Sequence, residues 1–168
     1  MNKFDAGARL VFHFAREEGE KLGHASIGPE HLLLGLLREG STASRVLVGA
    51  GVTLDGARRL TEELTGRGTG ANDEPAITPR TNRVMERAGL EVERLGSKRI
   101  RTEHILLALL GEGDGAAYRI LAGLAEPEAV RRRILEAALP SEAVTVRGYS
   151  GHPARLKLAK ILATTVGA

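Results

Sequence analysis

The strongest constraint in this sequence is that part of it occurs twice. Ile27-Gly28-Pro29-Glu30-His31-Leu32-Leu33-Leu34-Gly35-Leu36-Leu37 returns as Ile100-Arg101-Thr102-Glu103-His104-Ile105-Leu106-Leu107-Ala108-Leu109-Leu110, a displacement of 73 residues. Over the longer windows 4–40 and 77–113, 15 of 37 positions are identical; chance would give roughly two or three in a chain of this composition. Beyond Gly40 and Gly113 the second copy carries one extra residue, after which Arg45-Val46-Leu47 aligns with Arg119-Ile120-Leu121. A duplicated unit of this length implies one supersecondary structure built twice, with the two copies burying each other's apolar faces.

Each copy reads as four helices. The first runs from about Asp5 to Leu22, with Val11, Phe14, Ala15 and Leu22 at helical spacing and Gly23 as its stop. Its counterpart opens at Thr78-Pro79, a capping residue followed by proline at the first helical position, and ends at Leu95-Gly96. The second helix starts at Gly28-Pro29-Glu30 and ends near Glu39-Gly40; it is apolar on most faces and so belongs inside. A third covers about Thr42 to Ala50, and a fourth runs from a Thr53 cap to Thr65. In the second copy these become about 102–112, 115–123 and 127–138.

The expected fold is therefore all-α: two tandem four-helix repeats packed with pseudo-twofold symmetry over residues 1–140, followed by a C-terminal tail. Repeat one spans 4–65, repeat two 77–139, and a Gly-rich polar linker, 66–76, joins them. The extension 141–168 changes character and is read as loop with a short helix from about Pro153 to Ala163.

Composition excludes several classes of function. There is no cysteine, so disulfides, zinc–thiolate centres and thiol nucleophiles are ruled out. The net charge of +3 comes from the tail: residues 141–168 hold Arg147, Arg155, Lys157 and Lys160 against Glu142, leaving 20 basic and 20 acidic residues before them. A neutral body lacks the electrostatic footprint of a nucleic-acid binder. No apolar run has the length of a membrane span, the N-terminus lacks a secretion signal, and a cytoplasmic location follows as the default. Neither a phosphate-binding Gly-rich loop with its Lys-Ser/Thr nor a Gly-x-Ser-x-Gly elbow is present. No catalytic residue, cofactor or metal is expected, because the five histidines (13, 24, 31, 104 and 152) are scattered.

The residues that remain for function stand at the start of the apolar helices. Glu30 and Glu103 each place a carboxylate in a first helical turn, where the helix dipole favours it. Two such carboxylates beside helix-start amides suit a ligand carrying a guanidinium next to an anion. Gly28, Pro29, Arg101 and Thr102 adjoin them. His31 and His104, one residue further on, are read as structural, each ring bonded to a neighbouring loop or carboxylate. Glu18 and Glu91 interrupt the apolar stripes of their helices at equivalent places and are read as partners or loop anchors.

Phe4, Leu22-Gly23-His24 and the run from Ile27 to Gly40, with Ile77-Thr78-Pro79-Arg80 and Thr102-Glu103-His104-Ile105-Leu106-Leu107 in the second copy, resemble the N-terminal repeat domain of Clp unfoldases, especially the ClpC type. The resemblance covers about residues 3–139. It implies an all-helical, non-enzymatic module that recruits substrates and adaptors to a Clp ATPase–protease. It also implies recognition of phosphoarginine, with Glu30 and Glu103 at the positions that meet the guanidinium. A surface between the first helices of the repeats, carrying Arg9 and Glu86, would correspond to the one that binds cyclic-peptide antibiotics. The chain departs from the family at Gly28-Pro29, at Arg101-Thr102 and in the shortened loop Glu39-Gly40-Ser41-Thr42, so the two sites are expected to be unequal. The ATPase modules are absent, which favours a stand-alone accessory or decoy of a Clp ATPase. The alternatives are a regulatory or scaffold repeat protein unrelated to proteolysis and the N-domain fragment of a full unfoldase.

Overall fold

The computed structural model describes residues 3–70 and 73–138. Eight helices run in order among them: α1 (Ala6–Lys21), α2 (Pro29–Glu39), α3 (Thr42–Gly49), α4 (Leu54–Thr65), α5 (Pro79–Arg94), α6 (Thr102–Glu112), α7 (Ala116–Leu124) and α8 (Pro127–Ala137). The caps fall where side chains can supply them. Asp5 and Thr78, equivalent in the two repeats, accept the N–H groups of Ala8 and Thr81 at 2.8 and 3.1 Å, and Thr53 accepts that of Gly56 at 3.1 Å. Helices α2 and α6 end on Gly40 and Gly113 with φ of +85° and +73°, a left-handed stop that glycine adopts without strain. The expected extension 141–168, with its short helix, lies outside the described residues.

Helices α2 and α6 form the centre. All of Leu32, Leu33, Leu34, Leu36, Ile105, Leu106 and Leu109 are fully buried. Within the repeats, α1, α3 and α4 pack on α2, and α5, α7 and α8 on α6; between them, α4 packs on α7, α8 on α3, α7 on α2 and α3 on α6. One core serves both halves.

The structure also contains backbone pairing that the sequence reading did not anticipate. Ser26–Ile27 (β1) and Ala76–Ile77 (β2) form a two-residue parallel ladder, and Phe4 bridges Ile100. These contacts are reciprocal. The segment ahead of α5 pairs with the segment ahead of α2, and the segment ahead of α1 pairs with the segment ahead of α6. The hydrogen bonds match too: Thr78 N–H donates to the Ile27 carbonyl at 3.1 Å and Asp5 N–H to the Ile100 carbonyl at 2.9 Å. The exchange gives the molecule its pseudo-twofold axis and places each helix start of interest in a seam between repeats. Part of the linker is fixed as well, since Gly68 N–H donates to the Leu22 carbonyl at 2.8 Å and Gly70 N–H to that of Gly23 at 3.3 Å.

Candidate functional site

Two seams carry the candidate residues. In the first, Gly28 is extended at the N-cap of α2 and Pro29 holds the first helical position. A glycine cannot cap with a side chain, and the bond is made in reverse: Gly28 N–H donates to His31 Nδ1 at 2.9 Å. That bond leaves the ring's proton on Nε2, which donates to His24 Nδ1 at 2.8 Å; His24 Nε2 then donates to the Gly66 carbonyl at 2.8 Å. Burial holds His31 at a pKa of about 4, so it is a neutral structural ring.

Glu30 folds its carboxylate back over Gly28, into space that any Cβ at position 28 would occupy. Burial is the main influence on its carboxyl and raises its pKa, against the opposing pull of its own backbone N–H, His24 and Arg80. Arg80, from the first turn of α5, donates through Nε to both Glu112 oxygens at 3.1 and 3.3 Å and also pairs with Asp114.

The second seam repeats the scaffold with different surroundings. Arg101 N–H donates to His104 Nδ1 at 2.9 Å, and His104 Nε2 donates to Ser97 Oγ at 3.2 Å. Burial again lowers the histidine's pKa. The Glu103 side chain is only 8% exposed. Its Oε2 accepts from the Thr102 hydroxyl at 3.2 Å, and that hydroxyl lies 3.1 Å from Ser41 Oγ of the other repeat. Oε1 accepts no hydrogen bond among the described residues; Arg101 Nε stands 3.9 Å from it and 3.7 Å from Asp5 Oδ2. Glu103 faces an open cleft of about 720 Å³ whose wall includes Asp5, Ser97, Lys98, Arg99 and Arg101.

Position 7, the counterpart of Arg80, is glycine. The equivalent of Glu112 is Glu39, whose carboxylate accepts the Ser41 N–H at 2.9 Å rather than a guanidinium. Arg9 and Glu86 are exposed on α1 and α5, away from both seams' carboxylates in sequence and on helices that pack chiefly against α2 and α6. Among the described residues no group of His, Asp and Glu is arranged to hold a metal, and no helix is long and apolar enough to cross a membrane.

The sequence reading singled out Glu30 and Glu103 and read His31 and His104 as structural, but it did not name the partners of those rings. His24 and Ser97 stand seven residues before His31 and His104 in both copies, a repeated offset that was legible. Lys98 and Arg99 carry no repeat signal, because their counterparts are Ala25 and Ser26.

A family model, the Clp repeat (R) N-terminal domain, matches residues 3–124. The chain belongs to this family. Its sequence relatives include the chloroplastic ATP-binding subunit ClpA homolog of the ATP-dependent Clp protease from Brassica napus, 40% identical over 156 residues. Another is the chloroplastic chaperone protein ClpC1 of Arabidopsis thaliana, 40% identical over 154 residues. Each match takes in 90% of this chain but only 18% and 17% of the relative's length. Among solved structures, the N-terminal domain of the chaperone ClpD from Arabidopsis thaliana superposes with a TM-score of 0.71 at 26% identity, covering 82% of this chain and 98% of that one. The N-domain of ClpV from Vibrio cholerae shares the fold, with a TM-score of 0.65 at 22% identity, 81% of this chain and 85% of that one being covered. A Clp N-domain made of two repeats accounts for the duplication, the shared core and the paired seams.

Proposed function

We propose that this chain is a non-catalytic binding module of the Clp proteolysis system that recognises substrates, adaptors or degradation tags. It serves a Clp ATPase as an accessory or a decoy. The observation that carries the reading is the pair of carboxylates, half-buried Glu30 and buried Glu103, each at the first turn of a central helix and each in a seam between repeats. A buried carboxylate beside helix-start amides is suited to a forked guanidinium contact, and an adjoining anion is suited to the amides and to nearby cations. Phosphoarginine on a marked protein has both groups. Cyclic-peptide antibiotics are candidate ligands of the Arg9 and Glu86 surface.

Titrating the chain with a phosphoarginine peptide tests the tag reading. Saturable binding that disappears in a Glu30→Ala, Glu103→Ala double variant is expected; equal affinity in that variant would exclude it. The role within the machine is tested by pull-down against the host's Clp ATPase with and without a marked substrate. Delivery requires a ternary complex and faster degradation, whereas a decoy slows degradation. Crosslinking that recovers no Clp component would favour a scaffold role outside proteolysis.

A further inference from the structure

Helix α4 rests on α7 and α8 on α3, and these two equivalent crossings are not closed alike. Arg45, Val46 and Gly49 of α3 correspond to Arg119, Ile120 and Gly123 of α7. With α4 and α8 aligned on their caps, Thr53 and Glu126, Leu60 corresponds to Arg133. Where α4 meets α7, Leu60 packs against the core and lies so near Gly123 that a Cβ there would stand 3.1 Å from its side chain. Ile120 is fully buried. Where α8 meets α3, an arginine replaces that leucine. Arg133 Nη1 donates to the Gly49 carbonyl at 2.8 Å, and an open groove of about 380 Å³ remains, lined by Thr42, Arg45, Val46, Gly49, Arg133 and Ala137. Val46 is half-buried, and Val48, one helical turn from Arg45, is 57% exposed. One crossing is filled by the chain's own leucine; the other has no apolar filler among the described residues.

The charged residues of the groove are both arginines, and neither makes an ion pair among the described residues. Arg38, Arg58, Arg80 and Arg131, by contrast, each meet a carboxylate. Two guanidiniums beside an apolar trough complement a carboxylate next to an apolar side chain. The chain's own residues 141–168, with four basic residues and one acid, have the wrong charge for it. A second copy apposing the same face would set arginine against arginine.

We propose that the α3–α8 groove docks a segment of a partner protein that carries an aspartate or glutamate beside a leucine-sized apolar residue. The apolar side chain takes, against Val46 and Ala137, the place that Leu60 fills in the other crossing, and the carboxylate pairs with Arg45 and Arg133. The groove contains neither Glu30 nor Glu103, so the proposal goes beyond the tag reading and does not depend on it.

Two short alanine-rich helical peptides serve as probes, one presenting Glu and Leu on one face, the other with Lys in place of Glu. Each is titrated into the isotope-labelled full chain and followed by amide NMR. The Glu peptide is expected to move the Val46, Gly49 and Ala137 signals, and the Lys peptide to leave them in place. An Arg45→Glu, Arg133→Glu variant should bind the Glu peptide at least about tenfold more weakly and should now bind the Lys peptide, a gain that requires a folded groove. Arg45→Glu alone, which removes no hydrogen bond among the described residues, should weaken the Glu peptide about threefold. No response to either peptide, equal response to both, shifts confined to other surfaces, or unchanged affinity in the variants would overturn the proposal. So would two results obtained without peptide. Movement of the signals of residues 141–168 in the double variant would make the chain's own tail the occupant, and groove signals that change on dilution would make it a second copy.

Discussion

His31 Nδ1 already accepts the Gly28 N–H, so a second ring proton has to break that bond in a buried place. The unfolded chain titrates near 6.5 and the folded ring at about 4, so between these values the unfolded state holds more protons. Stability from this residue is therefore complete above pH 6.5 and is lost as the pH falls toward 4. The loss amounts to about 3 kcal/mol. Urea denaturation at pH 7 and pH 4.5 measures it. His31→Gln retains a side chain able to cap in reverse without titrating, and its decline over that interval should be shallower. Glu30 has the opposite sign. Burial raises its carboxyl, so the folded state holds the extra proton and stability from this residue falls as the pH rises above 4.5. Glu30→Gln should accordingly stabilise the chain at pH 7, with a gain that shrinks near pH 4.5; a destabilised variant at neutral pH would contradict the burial argument.

Equivalent helices have diverged in how they hold their neighbours. Glu18 of α1 is 2% exposed and binds Arg58 of α4 at 2.9 and 2.8 Å, Arg38 of α2 at 3.0 Å and Lys21 at 3.2 Å. Burial opposes its charge, but the hydrogen bonds from Arg58 and Lys21 outweigh it and its pKa is lowered. Among the described residues the carboxylate of Glu91 of α5, at the same place in the repeat, bonds only Arg94, at 2.9 Å. Glu18→Gln should cost about 3 kcal/mol in chemical denaturation and Glu91→Gln less than about 1. Gly35 shows a second divergence. A Cβ there would strike the Val11 carbonyl and lie 3.1 Å from Ala15 N, so α1 and α2 meet at backbone distance, whereas α6 has Ala108 at that position. Gly35→Ala should lower stability by about 1–3 kcal/mol; an unchanged denaturation midpoint would refute the contact. The helices themselves were legible from leucine spacing, Thr53 and Thr78 caps and glycine stops, to within a residue or two. The strands were not, because a two-residue strand has no alternation to read. Nor was the Lys98–Arg99 wall of the cleft, because only folding brings these exposed cations together with Asp5 and Glu103.

At the scale of the molecule, the two repeats share one core, so neither is expected to fold alone. Helix α2 is closed by α7 and α6, α3 rests on α8, and α4 on α7. A fragment comprising residues 1–66 should show weak far-ultraviolet helical signal and no cooperative thermal transition; a sharp melt would mean that repeat one has a core of its own. The duplication announced two similar bodies, but it did not say that each would reach across to finish the other. That crossing has a consequence for synthesis on the ribosome. The Lys3 carbonyl and the Asp5 N–H lack these backbone partners until Ile100 has been made and has left the exit tunnel, because Ile100 N–H donates to the first and the Ile100 carbonyl accepts from the second. Throughout that interval the faces of α2 that meet α6 and α7 are uncovered, a sticky nascent surface of the kind that holding chaperones cover.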